Sequence, residues 1–395
     1  MNKRMFELGS HRSVIREIFE YGKMRKSQIG EENVFDFSLG NPSVPAPFEV
    51  NEELLRQIRE NGNTFLHGYT SAPGDIKVRV AIAEYINQKY DVNEKADNIY
   101  ITCGAAAALT STLGAILNSG DEVIVFAPFF PEYKVFIENA SGTVIICKSD
   151  KDCLPDINSL KEKISERTRA VIINSPNNPT GAVIDEKRLT QIAEALEEKS
   201  KETGNTIYLI SDEPYRDLVY DKETKVPFVT KYYDNSIICY SFSKSLSLAG
   251  ERIGYILVSS KCENDKELFF SICGSARSYG YVCAPSLFQY MIPSVLGKTS
   301  DIGVYKENRD ILNEALTSYG YETIKPEGAF YLFVKALEDD AVSFAERAKK
   351  YELLLVPSDS FGVCGYVRIS YCVSTEMIKK SLPAFKKLYE EYMEK

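Results

Sequence analysis

The sequence predicts an α/β protein: a mainly parallel sheet of seven strands, with a smaller α+β domain beside it. Three observations predict this. Seven short apolar runs recur between residues 99 and 259, they are Val/Ile-rich without strict alternation, and helical patterns separate several of them. Continuous apolar runs indicate strands covered on both faces. Alternation of strand and helix indicates parallel pairing.

In order, the runs are IYIT from Ile99, EVIVFA from Glu122, TVIIC from Thr143, AVIIN from Ala170, IYLIS from Ile207, IICYS from Ile237 and GYILVS from Gly254. Helical spacing occupies Arg79 to Tyr90 before the first run, Ala105 to Asn118 after it, and Glu186 to Ser200 between the fourth and fifth. After about residue 285 the style changes. A long, mostly helical region from Ala284 to Tyr319 leads to two strand candidates, GAFYLFV from Gly328 and GYVRISYC from Gly365. Helical patterns at Val342 to Tyr351 and Thr375 to Tyr392 flank the second. We therefore expect a large domain over residues 49–290 and a small one built from residues 1–48 and 291–395.

Composition narrows the function. With 44% hydrophobic and 26% charged residues, the 395-residue chain has ample material for a core. A formal charge of −9 argues against nucleic acid or an anionic membrane as partner. Any anionic ligand must be held by a local cluster of donors. The N-terminus, MNKRMFELGSHRS, has no apolar segment of the signal-peptide kind, and Ala105 to Leu117 is too short to span a bilayer. Nine cysteines without CxxC spacing suggest neither a disulfide framework nor a zinc site, and a cytoplasmic location is expected. His11 and His67 are the only histidines, placed for neither a metal site nor a catalytic triad, and both read as surface or structural. No GxGxxG follows a strand and no GxxxxGK[ST] is present, so nucleotide binding is not indicated.

In an open α/β sheet, ligands bind beyond the carboxyl ends of the strands. After IYIT come Gly104, Ala105 and Ala106, opening a helix whose free N–H groups suit a phosphate. After AVIIN comes SPNNPTG, with Asn178. After IYLIS come Asp212 and Tyr215. After IICY come Ser241 and Lys244, with Arg252 eight residues on. This inventory suits a phosphorylated, aromatic, carbonyl-bearing cofactor. Ser241 and the fork of Arg252 complete a phosphate cup, and Lys244 is placed to condense with an aldehyde if its pKa is depressed. Asp212 suits a protonated ring nitrogen, Asn178 and Tyr215 a ring oxygen, and Phe130 the ring face. Singly, each feature is ordinary: Asp caps strand ends, NNPTG is a good turn, and a lysine in a serine-rich loop is commonly surface. Their joint occurrence at successive strand ends carries the reading.

The segment SFSKSLSLAGERIG, from Ser241 to Gly254, resembles the cofactor-lysine signature of the class I and II aminotransferases, pyridoxal-phosphate enzymes of the aspartate aminotransferase superfamily. SLGNP from Ser38, GYT from Gly68, TCGAAAAL from Thr102, NNPTG from Asn177, SDEPY from Ser211 and YVRIS from Tyr366 agree with that family in order across nearly the whole chain. The resemblance implies pyridoxal 5′-phosphate bound through Lys244, with Asp212 at the ring nitrogen, Asn178 and Tyr215 at the ring oxygen, and Phe130 stacked on the ring. It implies a phosphate cup of Ala105, Ala106, Ser241 and Arg252, joined by Tyr69 from a second subunit, hence a homodimer. Arg368, helped by Gly40 and Asn178, would grip the substrate α-carboxylate, and the small domain would close over it.

Three departures stand out. An alanine run follows Gly104 where relatives often carry a hydroxyl or glycine, and Ala106 stands where one subgroup has a lysine that reads a distal carboxylate. PSDSFG, from Pro357, has serine where relatives often have glycine. The activity expected is ping-pong transamination from an L-amino acid, aspartate-type first, to a 2-oxo acid such as 2-oxoglutarate. A carbon–sulfur β-lyase shares the anchor residues, and a non-catalytic regulator on this fold is a further alternative. Side-chain preference is expected to depend on the surroundings of Phe130, Phe37 and Ser275 to Val282, where Arg277 reads as a solvated surface arginine in preference to a partner for a second carboxylate.

Overall fold

The computed structural model describes residues 1–10 and 13–394. The seven runs become β1 (Ile99–Thr102), β2 (Glu122–Ala127), β3 (Thr143–Lys148), β4 (Thr168–Asn174), β5 (Tyr208–Asp212), β6 (Ser236–Ser241) and β7 (Gly254–Val258). They form one sheet in the order β1-β7-β6-β5-β4-β2-β3. All pairings are parallel except those of β7, which runs antiparallel to both neighbours. That reversal matters for the site. An antiparallel strand brings its beginning, not its end, to the carboxyl edge of the sheet, so Gly254 lies between Thr102 and Ser241.

Both faces of the sheet are covered. Ile101, Ile124, Val171, Leu209 and Ile238 pack into one apolar layer with the helices Ile76–Tyr90 and Glu186–Thr203. Val123, Val125, Ile172, Ile210 and Ile256 pack into another with Ala105–Ile116 and Asp265–Tyr279. The apolar runs thus behave as expected, with one correction. β3 is the sheet edge and is largely exposed or half-buried, because it has a neighbour on one side only. Short helices at Glu132–Asn139 and Ile157–Lys163 complete crossovers that the sequence pattern did not reveal.

A smaller body holds a four-stranded antiparallel sheet of Val356–Pro357, Tyr366–Ser370, Tyr331–Lys335 and Thr323–Ile324. Helices Ile302–Tyr319 and Thr375–Met393 pack with it around Leu332, Ile369, Leu312 and Phe385. Phe35–Asp36, following the helix Val14–Ile29, pairs with Leu353–Leu354. The region from Ala284 to Tyr319 is two helices rather than one, Ser286–Val295 and Ile302–Tyr319, broken at Gly297 in the left-handed conformation. The helical pattern at Val342 to Tyr351 is an α-helix over Ala341–Ala348 that tightens into a 3₁₀ turn, Lys349–Tyr351. All nine cysteines are free thiols. Among the described residues no helix is long and apolar enough to cross a membrane. His67 is exposed; His11 lies outside the described residues.

The two bodies are stitched at the NNPTG turn. Gly181, at φ +72°, accepts from the N–H groups of Glu327 and Gly328 through its carbonyl. An added Cβ there would lie 2.2 Å from Pro326 Cβ and 2.7 Å from the Gly328 carbonyl oxygen. Gly181→Ala is therefore expected to destabilise the protein by about 2 kcal/mol or more, from backbone strain and overpacking together. Chemical denaturation checks this, and an unchanged midpoint would refute the close approach.

Candidate active site

The strand ends at the carboxyl edge converge on a cavity of about 270 Å³. Gly40, Ala105, Ala106, Phe130, Asn178, Asp212, Tyr215, Ser241, Lys244, Arg252 and Arg368 all line it. Gly104 and Tyr69 do not. Gly104 sits just behind, at φ +83° as the N-cap of Ala105–Ile116, where an added Cβ would fall 2.9 Å from Arg252 Nη2. The glycine lets the guanidinium lie against the helix N-terminus. Tyr69 is 98% exposed in the single chain.

Each element positions its side chain for a local reason. Lys244 lies in a single helical turn, Phe242–Ser245, where a loop was expected; Ser241 Oγ caps it by accepting from Ser243 N at 3.2 Å. Arg252 adopts a left-handed backbone just before β7, at the edge where the antiparallel strand starts. Asn174 ties two strand ends together: its Nδ2 donates to the Asp212 carbonyl at 2.8 Å and its Oδ1 accepts from Asn178 N at 2.7 Å. Asp212 faces the cavity, while Glu213 turns into the core, pairs with Arg216 and accepts from Ser211 Oγ.

The electrostatics of the cavity are unbalanced. Lys244, Arg252 and Arg368 line it as cations, and Asp212 is the only carboxylate among the lining residues. Although the Lys244 stem is partly open to the cavity, its amine's pKa is lowered to about 8, chiefly because the surrounding protein strips water from it, with Arg368 and Arg252 acting in the same direction and Cys372 opposing. Its Nζ donates to the Gly40 carbonyl at 2.6 Å. Burial raises the Asp212 pKa to about 7, opposed by a hydrogen bond of 2.5 Å that Oδ2 accepts from Tyr133. Oδ1 has no partner among the described residues.

Arg368 is buried in the smaller body's sheet, opposite Phe333. It donates to Asn178 Oδ1 at 3.0 Å and to the Ser38 carbonyl at 2.5 Å, and Nε has no partner among the described residues. No described carboxylate forms an ion pair with it. A desolvated guanidinium without an acid partner is costly unless an anion arrives. The cavity therefore suits a ligand that is anionic at two places and carries an electrophilic carbon.

A family model described as aminotransferase class I and II matches residues 32–385. The chain belongs to that family. A probable aspartate aminotransferase of Methanocaldococcus jannaschii is 30% identical over 386 residues, covering 96% of this chain and 97% of its own. The aspartate aminotransferase of Thermotoga maritima is 32% identical, covering 89% and 90%. Among solved structures, an amino transferase from Eubacterium rectale is 53% identical over 99% of both chains, with a TM-score of 0.97. This chain is an aminotransferase with the seven-stranded sheet and smaller body of that group.

Sequence reasoning missed several residues of this aminotransferase site. Tyr133, in an aromatic stretch with no local sign of a polar role, places its hydroxyl on Asp212. Tyr331 lines the cavity from GAFYLFV, a run legible only as a strand. Ser243 and Ile15 line it too. Ile15 belongs to the N-terminal helix, and nothing in the chain's local pattern announces that. Arg277 is exposed and does not line the cavity, and Phe37 is fully buried core.

These two pKa shifts make opposite contributions to the pH dependence of the ligand-free protein. A carboxyl whose folded pKa is raised binds its proton more tightly when folded, so the stability tied to Asp212 is present at low pH and lost as pH climbs from the ordinary carboxylate range through about 7. A lysine with a lowered folded pKa has the opposite sense: stability tied to Lys244 falls as pH drops from the ordinary lysine range through about 8. Both burdens are in force between about 7 and about 8. Asp212→Asn is expected to stabilise the ligand-free protein there by a few kcal/mol, with the gain disappearing by pH 4. Thermal unfolding across that range decides it; a pH-independent effect would contradict the assignment.

Proposed function

We propose that the chain is a pyridoxal 5′-phosphate-dependent aminotransferase, moving the amino group of an L-amino acid to a 2-oxo acid such as 2-oxoglutarate by a ping-pong scheme. The observation that carries the reading is a desolvated lysine amine, Lys244, in one cavity with the partnerless oxygen of Asp212 at a neighbouring strand end. The residues fit the cofactor. Asp212 Oδ1 suits a protonated ring nitrogen, and Ala105, Ala106, Ser241 and Arg252 suit the phosphate. Phe130 offers an apolar face, with Asn178 and Tyr215 placed for the ring oxygen.

When bound, the cofactor supplies an aldehyde for Lys244 and an electron-withdrawing ring. The chain does the rest. Arg368 takes the donor's α-carboxylate, filling the place that its missing acid partner leaves. Lys244 Nζ, near neutrality at about 8, accepts the α-proton and passes it on. Leu39 and Ile15 lie at the cavity wall, so closure of the small domain, residues 1–48 and 291–395, excludes water. Aspartate-type donors come first, supported by the names of the two curated relatives. Free thiols throughout suit a reducing cytoplasm.

Lys244→Ala is expected to remove the visible absorbance of the bound cofactor and to cut turnover by about four orders of magnitude. Initial rates of the native enzyme, varied in both substrates, should give parallel double-reciprocal plots. A fully active Lys244→Ala variant, or converging plots, would refute the scheme, and a panel of amino donors against 2-oxoglutarate ranks the side chains accepted.

The active unit is a pair of copies in this proposal, with Tyr69 serving the phosphate cup of the opposite copy. Its support is the run of exposed apolar side chains near it: Phe65 at 54%, Tyr69 at 98% and Ile76 at 49%. Sedimentation of the active enzyme should give the mass of two chains. A fully active monomer would end this part of the reading.

A further inference from the structure

Tyr331 lies on the smaller body's strand Tyr331–Lys335 and is buried, yet it lines the cavity. Its hydroxyl oxygen is 2.7 Å from that of Tyr215, on the large sheet's edge. Its ring carries the Arg368 guanidinium 4.6 Å from the centroid. Its hydroxyl also crowds Gly40, where an ideal Cβ would lie 2.0 Å from it. One side chain thus touches three parts of the site: the proposed carboxylate clamp, the residue placed for the cofactor's ring oxygen, and the loop whose carbonyl accepts from Lys244.

From this contact set we propose that Tyr331 is a positioning residue, donating its proton to Tyr215 so that the Tyr215 proton is left for the cofactor's ring oxygen, while its ring fixes the plane of Arg368. The inference rests on the cofactor reading above and deepens it. The direction of donation follows from the charge that lies against the Tyr331 ring. Two hydroxyls share one hydrogen bond, so one proton is left over, and neither phenol has another strong partner among the described residues. The Arg368 guanidinium lies 4.6 Å over the Tyr331 ring, and its positive charge polarises the Tyr331 O–H more than that of Tyr215. The more acidic phenol is the donor. A phenol that accepts one hydrogen bond becomes a stronger donor in the next, the cooperative effect expected at low dielectric. Arg368 keeps its ring contact whether or not the Tyr331 hydroxyl is present, which makes the two roles separable by substitution.

The test is an absorbance titration of the resting holoenzyme, which reads protonation of the Lys244-linked cofactor without turnover. A donor to the ring oxygen steadies its negative charge and weakens its hold on the proton at the Lys244 nitrogen. Tyr331→Phe keeps the Tyr215 donor and loses only its cooperative strengthening, so it should raise the half-titration pH by about 0.3, with donor KM within about twofold because the ring on Arg368 survives. Tyr331→Leu should raise the half-titration pH similarly and also raise donor KM about tenfold. In a Tyr215→Phe background, Tyr331→Phe should move the titration no further, since the relay is already cut. An unchanged or lowered half-titration pH in Tyr331→Phe, or a full further shift in the Tyr215→Phe background, would overturn the proposal. If the native protein takes up no cofactor absorbance at all, the reading beneath it fails instead, so the two failures are distinct.

Discussion

The dehydration of the Lys244 amine is the condition on which the rest of the site depends. An ammonium in water holds its proton well above neutrality and is no base for an α-carbon. Here the amine shares a cavity with two arginines whose charges disfavour its proton, donates to one carbonyl, and forms no ion pair with a described carboxylate. Each neighbouring element serves that condition. The helical turn capped by Ser241 points the stem into the cavity, β7 reverses to bring Arg252 to the same edge, and the loop at Gly40 closes over the nitrogen.

Much of this was legible in the sequence, for identifiable reasons. Val/Ile-rich runs mark strands covered on both faces, and polar residues at the ends of four of them could only meet at one edge of a parallel sheet. Asp212, Asn178, Ser241 and Lys244 were found that way, and all line one cavity. β3 misled because an apolar run carries no sign of whether its strand has one neighbour or two. Tyr133 and Tyr331 escaped for a different reason. An aromatic within an apolar stretch looks like core, and both are buried; only the position of a single hydroxyl, set by packing at long range, makes them part of the site. Ile15 comes from the N-terminal helix, brought to the cavity by the pairing of Phe35–Asp36 with Leu353–Leu354, which no local pattern encodes.

The two bodies meet through polar contacts that are also site contacts. Arg368 of the small sheet donates to Asn178 of the large body, and Tyr331 bonds Tyr215 across the same boundary. Behind them, the segment from Pro326 to Ala329 is held by backbone bonds to Gly181 and Leu218. The rear contact is a fixed backbone seam, whereas the front contacts are side-chain bonds at the rim of a cavity. In the proposed closure of the small domain, a seam firm on one side and ligand-facing on the other would serve as the axis. A carboxylate on Arg368 would supply the differential binding that such a motion requires.

The cavity also concentrates charge that the fold itself leaves uncompensated. Its lining holds three cations to one carboxylate, Arg368 Nε and Asp212 Oδ1 lack partners among the described residues, and the surrounding apolar layers raise the cost of each charge. Local rules that hold along most of the strands fail together at this one edge, and such failures concentrate where function is built. A dianionic phosphate and a carboxylate would answer the surplus of positive charge, and a protonated ring nitrogen would answer Asp212. The groups that weaken the ligand-free protein are thus the same groups that make it selective for ligands of that charge pattern, and the stability lost at the strand ends is the difference in free energy that binding recovers.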